Sequence, residues 1–204
     1  MRTLLDRIDR FNAGHPWSHN DHYVRWILRQ LPPRARDALD VGCGAGTLLA
    51  ALATRLPHVE GIDRDPVMAA RSGGRRADLF DLPAEPAYDV VTAVAVLHHL
   101  PLAPALGHLR ALLRSGGRLI VVGCYRQVTA ADRATDLVAV PANLAIGLLA
   151  RRRVASTRAA MPAPTAPARE TLREIQAAAP AATVRRRLFW RYTLVEDVPL
   201  PRSG

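Results

Sequence analysis

Apolar runs along this chain alternate with segments whose apolar positions recur at helical spacing. Leu4, Leu5, Ile8 and Phe11 share one face of a helix expected over residues 3–12. A break at AGHPWSHN precedes a second helix from about Asp21 to Leu31, stopped by Pro32 and Pro33. Ser18 and Asp21 stand at capping-box spacing ahead of it. DALDV then reads as a buried strand, TLLAALATRL as a helix, HVEGID as a second strand and PVMAAR as a turn or two of helix. A weak third strand is expected near RADLF, and YDVVTAVAV is a strong fourth. A helix over residues 104–114, a stop at SGG and a fifth strand at RLIVVGCY follow. Alternating strand and helix predicts a parallel sheet covered on both faces.

Beyond Tyr125 the pattern changes. Residues 126–160 hold an apolar segment at 137–150 and the arginines 151–153; MPAPTAPA is a proline-rich joint, and RETLREIQAAA a further helix. The β-formers of residues 182–196 predict a terminal hairpin. One domain over residues 1–204 is expected. It comprises a helical cap (1–33), a ligand-binding core (34–125), an insertion between the fifth and sixth strands (126–165), and a closing helix and hairpin (166–204).

Composition changes this picture little. The chain has 204 residues, 49% apolar and 23% charged, as soluble globular proteins do. Its formal charge of +10 comes entirely from arginine, with no lysine. Together with abundant alanine and proline, that pattern reads as codon bias more than as a nucleic-acid surface. The arginines at 151–153 and 185–187 keep the nucleic-acid alternative open. Cys43 and Cys124 lie far apart in apolar stretches and fit thiols in a reduced cytoplasm. No apolar stretch is long enough for a membrane span or a signal peptide.

Chemistry concentrates where DALDV ends. Gly42, Gly44 and Gly46 follow at alternate positions, and the place where a dinucleotide fingerprint needs its third glycine holds Thr47. Asp40 would repel a pyrophosphate but suits the ammonium of an amino-acid moiety. Asp63, at the end of HVEGID, can accept from ribose hydroxyls in either kind of site. A tight turn without a ligand is the plain alternative.

LDVGCGAG, GIDRD, ADLFDLP, YDVVTAVAVLHHL and LRSGGRLIVVG together resemble the class I S-adenosylmethionine-dependent methyltransferases. The likeness is to the small-molecule type related to the ubiquinone and menaquinone enzymes. The resemblance implies a Rossmann-like α/β sheet of seven strands, helices on both faces, the last strand antiparallel and inserted beside the fifth. It implies S-adenosylmethionine as cofactor, with Asp40, Gly42, Gly44 and Gly46 at its methionine end. Asp63 would hold the ribose, Arg64 would flank the adenine, Asp78 and the Leu79 backbone would meet the adenine edge, and Ala93 and Ala95 would face the sulfonium. Asp63 and Asp78 are only 15 residues apart, so either the third helix is nearly absent or the adenine side is opened.

Methyl transfer is an in-line displacement that asks for alignment and, for a weak nucleophile, a base. His98 and His99, just past the fourth strand, and His19 in HPWSHNDHY are candidates, with His98 and His19 singled out as catalytic. His15, His19 and His22 would share a face only in a continuous helix, against which Pro16 counts, so no metal site is expected. Trp17 and Tyr23 could wall the cofactor. The apolar 137–150 segment points to a hydrophobic small-molecule acceptor or to peripheral contact with a membrane surface. A nucleic-acid methyltransferase and a non-catalytic protein of the same fold are the rival readings.

Overall fold

The structure, a computed structural model, describes residues 21–129, 168–187 and 191–200, with the side chains of residues 21 and 22 excepted. The helix expected over 3–12, the Ser18 cap, and all but the first few residues of the 126–165 insertion lie outside these residues.

Residues Asp21–Gln30 form α1, Asp37–Val41 β1, Thr47–Ala53 α2, His58–Asp63 β2, Pro66–Ser72 α3 and Arg75–Arg76 β3. Tyr88–Val94 form β4, Leu102–Ala111 α4, Leu113–Cys124 β5, Leu172–Ala178 α5, Thr183–Arg187 β6 and Arg191–Asp197 β7. The strands lie in the order β3-β2-β1-β4-β5-β7-β6. β1 to β5 pair in parallel, while β7 runs antiparallel to both β5 and β6. This is the Rossmann-like class I methyltransferase sheet that the resemblance implied.

Successive side chains of a strand point to opposite faces, and here both faces are buried. Leu39, Val41, Val91, Ala93, Leu119 and Val121 pack with Ala105, Leu106 and Leu109 of α4 and Ile175 of α5. Ala38, Val90, Ile120 and Val122 pack with Leu48 and Leu52 of α2 and Tyr23 and Ile27 of α1. These two layers explain why the central strands read as unbroken apolar runs. Thr171 caps α5 through a reciprocal capping box with Glu174. Arg110 of α4 makes a two-pronged pair with Glu196 of β7, at 2.8 Å on each prong.

Two elements differ from their sequence-based expectation. The third strand is Arg75–Arg76 alone, because Asp78 caps a 3-10 turn over Leu79–Asp81 by accepting from the Phe80 amide at 3.0 Å. β5 begins before SGG, not after it: Gly116, at φ 78°, bends the strand without ending it. Its amide reaches the Val198 carbonyl at 3.0 Å, and the Val198 amide returns to the Gly117 carbonyl at 2.8 Å.

Two glycine substitutions should move stability in opposite directions. Gly123 lies opposite Tyr192 in the β5–β7 ladder, and a Cβ there would run into the Tyr192 ring. Gly123→Ala should cost about 1–3 kcal/mol. Gly107, exposed within α4 with open space around it, should gain about 0.5–1 kcal/mol as alanine. Urea midpoints of the two variants measure both.

Candidate functional site

β1 ends in a turn whose three glycines meet three different steric demands. Gly42, Gly44 and Gly46 all have left-handed backbones, at φ 68°, 52° and 84°. A Cβ on Gly42 would overlap Val96, and one on Gly46 would stand 3.0 Å from the Ser72 Cα of α3. A Cβ on Gly44 would meet no protein atom within 4 Å. Gly42 and Gly46 therefore let protein pack against protein, whereas Gly44 leaves its space to a cavity. That cavity, about 310 Å³, opens at the carboxyl edge of the parallel strands, where doubly wound sheets bind ligands.

Two carboxylates hold opposite ends of the turn. Asp40 is 2% exposed, lines the cavity, and accepts from the Thr92 hydroxyl at 2.7 Å. Burial pushes its carboxyl up to about 7; the Thr92 bond opposes that rise and the charge of Asp63 adds to it. No described cation pairs with it. Asp63, at the end of β2, accepts from the Gly44 amide on one oxygen and the Asp65 amide on the other, each at 2.9 Å. Asp65 caps α3 by accepting from the Val67 amide at 2.8 Å, which directs Arg64 and Met68 to the cavity.

α3 is two turns long, so the helix exists and the short Asp63–Asp78 spacing is absorbed by the brevity of β3. Asp78 and Leu79 still reach the cavity wall, helped by a bond from the Ala77 amide to the Asp63 carbonyl at 3.2 Å.

The far wall is Val94, Ala95, Val96, His99 and Leu100, and α1 closes the rim with Val24 and Ile27. Ala95 carries a left-handed backbone at φ 57°, unusual for a residue with a Cβ. Its amide is fixed on the Val122 carbonyl at 2.7 Å. Burial, then the charge of Arg64, lowers the pKa of His99.

Of the residues read from the sequence, Asp40, Gly42, Gly44, Asp63, Arg64, Asp78, Leu79 and Ala95 come together around this one cavity. Three others are placed elsewhere. Ala93 is fully buried in the core, and its expected place at the wall is taken by Val94, Ala95 and Val96. Gly46 is committed to Ser72 and the start of α2. His98 is 5% exposed and does not line the cavity, while His99 does. Burial, with the charges of His99 and Arg191, draws His98 down to about 4, so it is neutral near pH 7. His15, Trp17 and His19 lie outside the described residues, and Tyr23 is buried in the core.

Sequence reasoning missed Thr92, whose hydroxyl inside the apolar VVTAV run of β4 was the available signal. It also missed Val24 and Ile27, which stand on the apolar face of α1. The Ala95 backbone left no signal in the sequence.

A family model described as a methyltransferase domain matches residues 16–186. An uncharacterized methyltransferase of Mycobacterium tuberculosis strain H37Rv is 36% identical over 119 residues, covering 52% of this chain and 60% of that protein. The ubiquinone biosynthesis O-methyltransferase of Xylella fastidiosa is 36% identical over 155 residues, covering 63% of this chain and 62% of that protein. The chain thus spans about three fifths of the length of these relatives. Among solved structures, the magnesium protoporphyrin IX methyltransferase of Synechocystis with bound SAH shares the fold at a TM-score of 0.56 and 20% identity. That match covers 97% of this chain and 94% of the other. An N-methyltransferase from Bradyrhizobium japonicum shares the fold at 0.58 and 15% identity, covering 87% and 86%.

The packing demand at Gly42 and the cavity demand at Gly44 can be separated by mutation. Gly44→Val should abolish the calorimetric heat of S-adenosylhomocysteine binding, with about 1–2 kcal/mol of stability lost to the left-handed backbone. Gly42→Ala should act mainly on stability, by about 1–3 kcal/mol, and adding Val96→Ala should recover part of that loss. Unchanged affinity in Gly44→Val would remove the ligand from this end of the cavity.

Proposed function

The chain belongs to the methyltransferase domain family, and on that footing we propose that it moves a methyl group from S-adenosylmethionine to a small molecule with an apolar body. The observation that carries this reading is the pairing of an empty Gly44 flank with the buried Asp40 carboxylate in one cavity. An amino-acid tail fits there: Gly44 leaves its volume free, and the ammonium supplies the cation that Asp40 lacks among the described residues. Linked phosphates would meet Asp40 and be repelled.

The remaining donors and acceptors suit a nucleoside. Asp63 keeps lone pairs for the ribose hydroxyls beyond those used by Gly44 and Asp65, and Arg64 and Leu79 stand where they can flank the adenine. Asp78 spends one oxygen on the Phe80 amide and has the other for the adenine amino group. The bound cofactor supplies a methyl already activated by positive sulfur. The chain then has to align the acceptor, exclude water and take up any proton that the acceptor loses.

The apolar acceptor is supported by Val24, Ile27, Val94, Val96 and Leu100 along the cavity. His98 stays the proposed base on this reading, and His19 a second candidate outside the described residues. The membrane-contact reading rests on residues 137–153, also outside them; among the described residues no helix is long and apolar enough to cross a membrane. Against the nucleic-acid reading, Arg187 is engaged internally, donating to Thr193 at 3.0 Å and lying 5.4 Å over the Trp26 ring. Against the inert reading, Asp63 and Asp78 still meet across one cavity.

Asp40 gives the reading a pH signature. The ligand ammonium favours the ionised carboxylate, so binding below the free group's pKa requires release of a proton. Affinity for S-adenosylhomocysteine should be level above about pH 7 and fall toward tenfold per unit below it. Asp40→Asn should lose at least about tenfold at pH 8 and flatten the profile. The same variant should be more stable than wild type at pH 8 without ligand, because it no longer buries a charge. Calorimetry from pH 5.5 to 8 and thermal melts measure all three. Steeply salt-dependent retention on heparin would favour the nucleic-acid reading instead.

A further inference from the structure

One buried hydroxyl proton has two places to go. Thr92 stands beside Asp40 in the β1–β4 register and is fully buried, while Asp40 lines the cavity. The Thr92 oxygen lies 2.7 Å from Oδ1 of Asp40 and 3.3 Å from the Leu39 carbonyl oxygen of the same strand. A threonine hydroxyl has one hydrogen to give and can also accept; a carbonyl only accepts, and a carboxyl group donates only when protonated. The hydrogen of Thr92 therefore points to Asp40 when that group is ionised. When Asp40 is protonated, its own O–H donates to the Thr92 oxygen, and the threonine hydrogen turns to Leu39. Neither state leaves a buried polar hydrogen unanswered.

Packing alone does not ask for a hydroxyl here. Val90, Val91 and Ala93 of the same strand are apolar and fully buried, and valine would fill nearly the same volume as threonine without a polar group to desolvate. Among the described residues, Thr92 is also the one hydrogen-bond donor that reaches the Asp40 carboxylate. Asp63, at the end of β2, acts on Asp40 as a like charge, and Cys43 follows on the turn. Arg64, Asp65, Asp78 and His99 also line the cavity, while α1 and α2 contribute the uncharged Val24, Ile27, Thr47 and Leu48. The other titratable groups of β1, β2 and β4 are Asp37, His58, Glu60, Tyr88 and Asp89, which pair with one another or with Arg114.

We propose that Thr92 is a positioning residue for the cofactor: its hydroxyl holds Asp40 as the anion that meets the ligand's ammonium, and holds the same group as a neutral acid once the ligand has left. The inference rests on the reading above and deepens it by naming how the methionine end is loaded and released. Arrival of the ammonium sends the Asp40 proton to water, and the electron pair of the O–H bond stays on the carboxylate. Departure of the ligand returns a proton from water to that oxygen. Each exchange needs only a rotation of the Thr92 hydroxyl between Leu39 and Asp40. Below about pH 7 the empty site is thereby spared a buried charge, while the filled site has a donor already aimed at the carboxylate.

The test is calorimetric titration of the full chain with S-adenosylhomocysteine from pH 6 to 8.5. Thr92→Val is compared with wild type at each pH, so that the ligand's own titration cancels. A hydrogen bond to the ionised carboxylate is stronger than one to the neutral acid, so its loss raises the pKa of Asp40, by about one unit. Thr92→Val should then bind about tenfold more weakly than wild type at pH 6 and within about twofold of it at pH 8.5. At pH 7, heats in buffers of different ionisation enthalpy should show about half a proton released by wild type and nearly one by the variant. Thr92→Ser, which keeps the hydroxyl, should follow wild type in both measurements. If Thr92→Val does not fold, Thr92→Cys, a weaker donor, should move the same readings part of the way. An affinity ratio that is level across pH, or a proton count that the substitution leaves unchanged, overturns the role of Thr92 while the cofactor heat is intact. Absence of heat in wild type overturns the methyltransferase reading beneath it.

Discussion

The site depends on how the end of β1 is tied to the end of β2. The amides of Gly42 and Cys43 both donate to the Ile62 carbonyl, at 2.8 and 3.0 Å, and the Gly44 amide donates to the Asp63 carboxylate at 2.9 Å. Three consecutive residues thereby register the glycine turn on the neighbouring strand, and they do so through main-chain groups that any sequence possesses. What the sequence must supply is permission for the backbone to go there, which is why glycine stands at the positions with positive φ. Cys43 completes the joint: its sulfur lies 3.2 Å from the Ser72 hydroxyl at the end of α3. The turn, β2 and α3 therefore behave as one piece, and the carboxylate suited to the ribose is part of the hinge pin.

The opposite end of the sheet is held by different means. Asp89 accepts from the amides of Arg36 and Asp37, at 2.8 and 3.1 Å, and Arg114 bridges Asp37 and Asp89. Polar groups at the amino ends of the strands are thus satisfied within the protein, where they fix strand order. At the carboxyl ends, Asp40 accepts from the Thr92 hydroxyl with no described cation beside it, and the His98 ring nitrogens have no described partner. That asymmetry is the physical content of the statement that function sits at one edge of a doubly wound sheet.

Much of this was legible in the sequence because the central strands are buried on both faces and so carry unbroken apolar runs. β1 and β4 follow from that alone, and the glycine spacing with Asp40 and Asp63 fixes the cavity's position. Failures occur where local backbone geometry departs from the period of its element. Ala93 and Ala95 share a face only while the strand continues; β4 ends at Val94, and the left-handed turn of Ala95 carries the wall onward without Ala93. His98 and His99 are adjacent in sequence, and a 3-10 turn over Leu97–His99 sends one inward and the other to the cavity. β3 was misplaced because two edge residues leave no periodicity to read. The Arg191–Cys124 contact escaped notice because it comes from the antiparallel insertion of β7, a property of the assembled sheet.

Ala95 has a consequence for how the cavity can change. A left-handed backbone is tolerated by glycine, costs alanine modestly, and costs valine or isoleucine more. The wall at that point is consequently held to small residues by torsional strain. Change in the size of the cavity falls more readily to the α1 rim at Val24, half-buried on an ordinary helix, whereas Ile27 is held in the core. One point of the wall is thus fixed by its backbone, and the facing rim is negotiable at Val24.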